Sequence, residues 1–162
     1  PNWLPRATDL AARTHELTSF LVDVLKVERV EARYEGRVTY HDSCSGLREL
    51  GVARQPRKLL KTVEGLELVE MRESDVCCGF GGTFAVKYGE ISDAIVSKKT
   101  ENIAESGADT LLAGDLGCLM NMAGKLAREG KATKVRHVAE VLAGMTDDAP
   151  IAAAPARRSE SA

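Results

Sequence analysis

The sequence predicts a single α/β domain in which a mostly parallel sheet is flanked by helices. Short β-rich runs alternate with stretches of helical apolar spacing from Arg37 onward, and that alternation implies right-handed crossovers between parallel strands. Gly65, Gly107 and Gly130 each stand where a helical stretch should stop. A length of 162 residues suits one core that buries roughly two-thirds of the unfolded chain's surface, so disulfides are not needed for folding.

Thr8 and Asp9 offer capping side chains, and Leu10, Leu17, Leu21, Val24 and Leu25 follow near one face, predicting a first helix over 8–26 with His15 on its solvated side. "GRVTYHDS" predicts a strand over 37–41 with Cys44 in the loop beyond it. Pro56 suits a helix start, and "RKLLKTVEG" carries a short helix to Gly65. "LELVEM", 66–71, alternates as a second strand and leads to Cys77 and Cys78. Ile91, Ala94, Ile95, Ile103 and Ala104 predict a helix over 90–106. "DTLLAG" then gives a buried strand over 109–113, with Cys118 opening a helix over 118–129. "TKVRHV" is a last strand and "VAEVLAGM" a last helical turn or two. The expected core is Leu10, Leu17, Phe20, Leu21, Val38, Leu68, Ile95, Ile103, Leu111, Leu112 and Val135. The domain should occupy 1–146, and the Ala-, Pro- and Ser-rich stretch 147–162 is expected to be a disordered tail.

Net charge is −2, with 22 basic and 24 acidic residues interspersed, so no basic stripe points to nucleic acid. No apolar run approaches the roughly 20 residues that span a bilayer, and "PNWLPRATD" lacks the pattern of a signal peptide, which leads to an expected cytoplasmic location. Pro1 stands where an initiator would, so we expect the chain to be a piece of a longer protein.

In a reducing compartment four cysteines read as metal ligands or reactive thiols rather than disulfides. Cys44, Cys77, Cys78 and Cys118 each follow a predicted strand, and in a parallel sheet the loops after the carboxyl ends lie on one rim. An all-sulfur set suits an iron–sulfur cluster or zinc. The adjacent pair favours the cluster, because neighbouring cysteines reach two metal atoms more easily than one. Gly79, Gly81 and Gly82 could bring backbone N–H groups to an anionic cluster, or simply form a turn before a helix. His41 ends its strand three residues before Cys44 and is a candidate fourth zinc ligand or proton relay; His137 ends the last strand and could reach the same rim. Arg48, Lys87 and Lys125 are candidate counter-charges, with solvation as the default, and Met120 and Met122 read as packing. No Ser-His-Asp set, P-loop or dinucleotide fingerprint is present, which leaves acyl transfer, nucleotide hydrolysis and independent NAD chemistry without support.

"YHDSC", "CCGFGGTFAVKYGEIS", "DLGCLMNMAG" and "HVAEVL", in that order over about residues 8–145, resemble the cysteine-rich CCG domain family. One of the heterodisulfide reductase subunits is a member, as are the iron–sulfur subunits of glycolate and lactate utilization systems, and the wording around the motifs is most similar to the last. The resemblance implies that Cys44, Cys77, Cys78 and Cys118 hold an iron–sulfur cluster, with [4Fe–4S] the expected type and zinc as the alternative. It implies an electron-transfer subunit of a complex oxidising lactate or a related 2-hydroxy acid, rather than a stand-alone catalyst. Its partners would be the other subunits of such a complex and a missing N-terminal repeat. The family motif ends in C-x-x-C, and Asn121 stands where the last cysteine would be, so a five-cysteine cluster is put in doubt. Two readings from other classes stand beside this one: a zinc-stabilised structural or docking domain, and a thiol redox module cycling Cys77 and Cys78.

Overall fold

The computed structural model describes residues 2–153. Four parallel strands, β1 (Arg33–His41), β2 (Glu64–Leu68), β3 (Thr110–Ala113) and β4 (Lys134–His137), form one sheet in the order β2-β1-β3-β4. The α/β class and the parallel sheet are as the alternation predicted. β1 and β3 are the inner strands, so Val38 to His41 and all four residues of β3 are buried on both faces. That double burial explains why "VTYH" and "TLLA" read as unbroken runs rather than as alternating ones.

Helices cover both faces. On one, α3 (Arg54–Leu60) and α7 (Val138–Leu142) pack Leu60, Val138 and Val141 against Val38, Tyr40 and Leu112. On the other, α5 (Gly89–Glu105) and α6 (Leu116–Arg128) pack Val96, Ile103, Leu119, Met122 and Leu126 against Leu111, Ala113 and Val135. Successive side chains on a strand face opposite ways, so Thr39 and His41 lie on the second face while Val38 and Tyr40 lie on the first. His41 pairs in register with Ala113, just before α6 begins.

The expected first helix is two pieces. α1 (Leu4–Ala12) ends before His15, and α2 (Leu17–Ser19) starts anew with the Glu16 carboxylate accepting from Ser19 N, then runs into a π-helical stretch, Phe20–Val24. No residue of α1 is buried, and Leu10, Leu17 and Phe20, expected in the core, are exposed. Their helical spacing was real but faces no partner among the described residues. Residues 147–153 of the expected tail run beside β4: Ile151 N donates to Val135 O (2.9 Å), and Ile151 packs on the core. Arg136 holds the approach to that stretch through the carbonyls of Thr146 and Asp148. The remainder of the expected tail, 154–162, lies outside the described residues.

α5 buries an unexpected face. Ser92, Lys99, Thr100 and Asn102 turn inward with Val96 and Ile103, while Ile91 stays exposed. The cause is what α5 covers: an irregular loop, 69–82, whose backbone carbonyls need donors that no strand supplies. Ser92 Oγ donates to Gly79 O (2.8 Å), Lys99 Nζ donates to Glu73 O, and Asn102 Nδ2 donates to the Glu73 carboxylate (3.0 Å). Lys99 is only 1% exposed and forms no ion pair among the described residues. Burial lowers its pKa from 10.5, so the cost of its charge is fully present below the folded pKa and fades as pH rises towards 10.5. Lys99→Met relieves that cost but leaves Glu73 O without its donor, so the two effects oppose and the net change near neutrality should stay within about 1 kcal/mol. Urea titrations at several pH values should show the variant losing ground to the wild type at alkaline pH, where the charge it relieves is no longer present.

Candidate metal centre

The site lies at the carboxyl ends of β1 and β3, on the face covered by α5 and α6. Three elements converge there: the end of β1 brings His41, the loop after β2 brings Cys78, and the first turn of α6 brings Cys118. Their ligand atoms lie within 4.8 Å of one another, and all three residues are buried. The imidazole Nδ1 is 3.1 Å from Ser74 O, whereas Nε2 is buried with no hydrogen-bond partner among the described residues. A buried polar atom left without a partner is costly unless something occupies it. Two thiols and one bare imidazole nitrogen form a soft donor set that fits a thiophilic metal.

Each ligand is held from its backbone. Asp115 caps α6, its Oδ1 accepting from Cys118 N (2.9 Å), which sets Cys118 in the first turn. Asn121 Nδ2 donates to Cys78 O (2.9 Å) from one turn further along α6. The chain then turns sharply at Gly79, where φ is +84° and an added Cβ would lie 2.7 Å from Ser92 O. Only glycine fits there, because both the dihedral and the approach to α5 forbid a side chain. Phe80 next lays its ring on Gly117. The loop is thus clamped between the two helices, with Cys78 pointing inward.

Cys77 points elsewhere. It is half-buried, its Sγ accepts from Gly79 N (3.3 Å), and it lines an apolar cleft with Val76, Ile91 and Ile95. Cys44 is exposed at the start of a π-helical turn, Ser45–Glu49. Of the four predicted cysteines, then, two converge and two flank them. All four thiols are free. Among the expected glycines, Gly79 N–H reaches a sulfur, while Gly82 precedes α4 (Thr83–Lys87) and Gly81 O accepts from Phe84 N.

The pair Cys78 and Cys118 shares a proton unequally. Cys78 is pulled down chiefly by the hydrogen bond from Cys118, aided by the backbone N–H of Phe80 and opposed by burial. Cys118, the donor of that pair, is pushed up. A thiolate at Cys78 is the protonation state a metal ligand needs.

The other candidates have different duties. His137 caps α7, its Nδ1 accepting from Ala139 N (3.1 Å) in a capping box with Glu140. Lys125 pairs with Asp93 across α5 and α6 (2.9 Å), and Arg48 and Lys87 are exposed. Met122 is buried in the core and Met120 is exposed. The roles of Ser92 and Asn121 as clamps were not read from sequence; Asp115 carried a legible signal, an aspartate immediately before a helix.

The sequence model of the CCG cysteine-rich domain matches residues 38–123, a span that runs from β1 through the convergent site to α6. The chain belongs to this family of cysteine-rich CCG domains. The chain is also similar to longer proteins: it is 56% identical over 140 residues to lactate utilization protein A of Geobacillus sp. strain WCH70, covering 86% of this chain and 59% of that protein. With the protein of the same name from Lysinibacillus sphaericus it is 53% identical over 142 residues, 88% of this chain and 62% of that protein. The chain therefore spans about 60% of the length of these curated relatives.

Removing the Asn121 clamp should leave Cys78 O short of a donor. Asn121→Ala is expected to cost about 1–2 kcal/mol in thermal or denaturant unfolding while retaining most of the bound metal. Loss of metal as complete as in a cysteine variant would place Asn121 among the ligands instead.

Proposed function

We propose that this CCG domain holds an iron–sulfur cluster and passes electrons within a system that oxidises lactate or a related 2-hydroxy acid. The observation that carries this reading is the convergence of ligand atoms of Cys78, Cys118 and His41, whose Nε2 is orphaned, within 4.8 Å, with Cys77 and Cys44 on neighbouring loops. Cys78 and Cys118 would be inner ligands, and Cys77 and Cys44 would complete the thiolate set. When bound, such a group supplies a one-electron carrier. The chain's own residues supply the rest: the α5 and α6 clamps exclude water from Cys78 and Cys118, and Gly79 N–H and Phe80 N–H steady sulfur charge. The names of the relatives support the lactate assignment. No helix among the described residues is long and apolar enough to cross a membrane, and free cysteines agree with a reducing cytoplasm. The partners would be further subunits of the system and the part of the relatives' length that this chain does not span.

One feature of the site favours a second reading. The convergent set includes a nitrogen donor and is compact enough for a single ion, as in a zinc site of two cysteines and one histidine with a fourth position filled from Cys77 or Cys44. Anaerobic purification followed by iron, acid-labile sulfide and zinc determination decides between them. Iron with labile sulfide and a reducible EPR signal are expected; zinc at one ion per chain without iron overturns the cluster in favour of the zinc domain.

A further inference from the structure

Arg57 lies outside the convergent site, on α3, yet it is the hub of the hydrogen bonds that end at His41. Its guanidinium grips Asp42 with both terminal nitrogens, Nη1 to Oδ1 at 2.7 Å and Nη2 to Oδ2 at 2.8 Å. The other edge of the fork meets Glu70, at 2.7 and 3.0 Å, and Nη1 also donates to Ala53 O. Asp42 is 5% exposed and in turn holds Ser74 twice: its carboxylate accepts from Ser74 Oγ (2.9 Å), and its backbone N–H donates to Ser74 O (3.1 Å). Ser74 O is the atom that faces His41 Nδ1.

The direction of that last contact determines the chemistry of the ring. A carbonyl oxygen only accepts, so Nδ1 must carry the proton and Nε2 must be the bare nitrogen. Nε2 is buried without a partner, and the His41 ring lies beside Cys78 and Cys118. The relay therefore fixes both the tautomer and the aim of the ring, which is how outer groups prepare a metal-binding histidine. We propose that Arg57 is a positioning residue for the metal centre, acting through Asp42 and Ser74 to hold His41 with Nε2 directed at the two thiols. This inference rests on the proposed metal centre but is separable from it, because the tautomer is set in the metal-free chain.

The geometry also explains why the hub is an arginine. Three segments must be locked together: the end of β1 at Asp42, the loop after β2 at Glu70 and Ser74, and α3. A planar fork with five donors spans two carboxylates at once, which a lysine ammonium does not do with the same geometry. The same grip orients the Asp42 carboxylate so that Oδ2 accepts from Ser74 Oγ.

The test uses the whole chain, stripped of metal under anaerobic, reducing conditions. Long-range 15N–1H NMR reads the His41 tautomer, and titration with Co2+, whose thiolate charge-transfer and d–d bands report ligation, reads the affinity. Wild type should show protonated Nδ1 and a bare Nε2. Arg57→Leu and Asp42→Asn should mix the tautomers, shift the d–d bands and weaken Co2+ binding by about 10–100-fold. Arg57→Lys should fall between. Arg136→Leu removes another buried guanidinium, one that holds Glu140 and the carbonyls of Thr146 and Asp148, and should lower stability without moving either readout. Wild-type tautomer and affinity in folded Asp42→Asn or Arg57→Lys would overturn the positioning role, as would an equal loss of affinity in Arg136→Leu. Wild-type protein that binds no Co2+ would overturn the metal centre itself.

Discussion

Cys78→Ser is expected to strip the centre of its metal. The side chain is 2% exposed and aimed at Cys118 and His41, so no other thiol replaces it without moving the loop that α5 and α6 clamp. A serine hydroxyl is a poor ligand for a thiophilic metal and does not ionise at neutral pH. Affinity should fall by at least about 100-fold, beyond the 10–100-fold typical of outer-shell changes, and Cys118→Ser should behave alike. Cys44→Ser and Cys77→Ser, taken together, then distinguish the metals. A cluster that uses both thiolates should lose iron in each variant, whereas a zinc ion held by Cys78, Cys118 and His41 needs only one of them and should stay in the other variant. Metal analysis and ultraviolet–visible spectra after anaerobic gel filtration provide the measurement, and full retention of metal by Cys78→Ser would remove Cys78 from the ligand set.

Gly79→Ala should damage the fold and the site together. Its φ of +84° is strained for any other residue, and the new Cβ would meet the carbonyl oxygen of Ser92, which belongs to the α5 backbone and has little room to retreat. Strain and overlap together are expected to cost about 2–4 kcal/mol. For a chain of this length that corresponds to a drop in melting temperature of about 10 °C. Gly130→Ala is the comparison: its φ is +65°, but an added Cβ meets nothing within 4 Å, so only the dihedral cost of about 1–2 kcal/mol applies. Calorimetry of the two variants separates strain from collision. Because Gly79 follows Cys78 directly, Gly79→Ala should also lose metal, which Gly130→Ala should not. Equal melting temperatures would mean that the loop relaxes away from α5 at no cost.

Alternation of apolar runs with helical spacing was sufficient for the parallel sheet, its strands and the two long helices that end before Gly107 and Gly130, whereas Gly65, read as a helix stop, lies inside β2, five residues beyond the end of α3. Alternation failed where a face has no partner or an unusual one. Leu10, Leu17 and Phe20 show core spacing yet are exposed, because spacing states that a face is apolar, not that anything covers it. On α5 the polar residues Ser92, Lys99 and Asn102 are the ones buried, because their neighbour is loop backbone, and no pattern within the helix itself announces that.

The order of strands and helices along the chain was enough for the class of fold and for placing each cysteine in a segment that follows a strand. Which donors meet is a matter of packing. Cysteine positions along the chain specify the loop each belongs to, but the direction of a side chain depends on the backbone dihedrals and clamps around it. Hence Cys78 and Cys118 turn inward, Cys77 turns to the α5 cleft and Cys44 to solvent. His41 joins the two thiols because the period of two along β1 places it on the α5 and α6 face and register sets it opposite Ala113, just ahead of the turn that carries Cys118. The relay from Arg57 was illegible for the same reason: Arg57, Asp42, Glu70 and Ser74 come from three separate segments, and only the packing of α3 against the sheet brings their charges within hydrogen-bond reach.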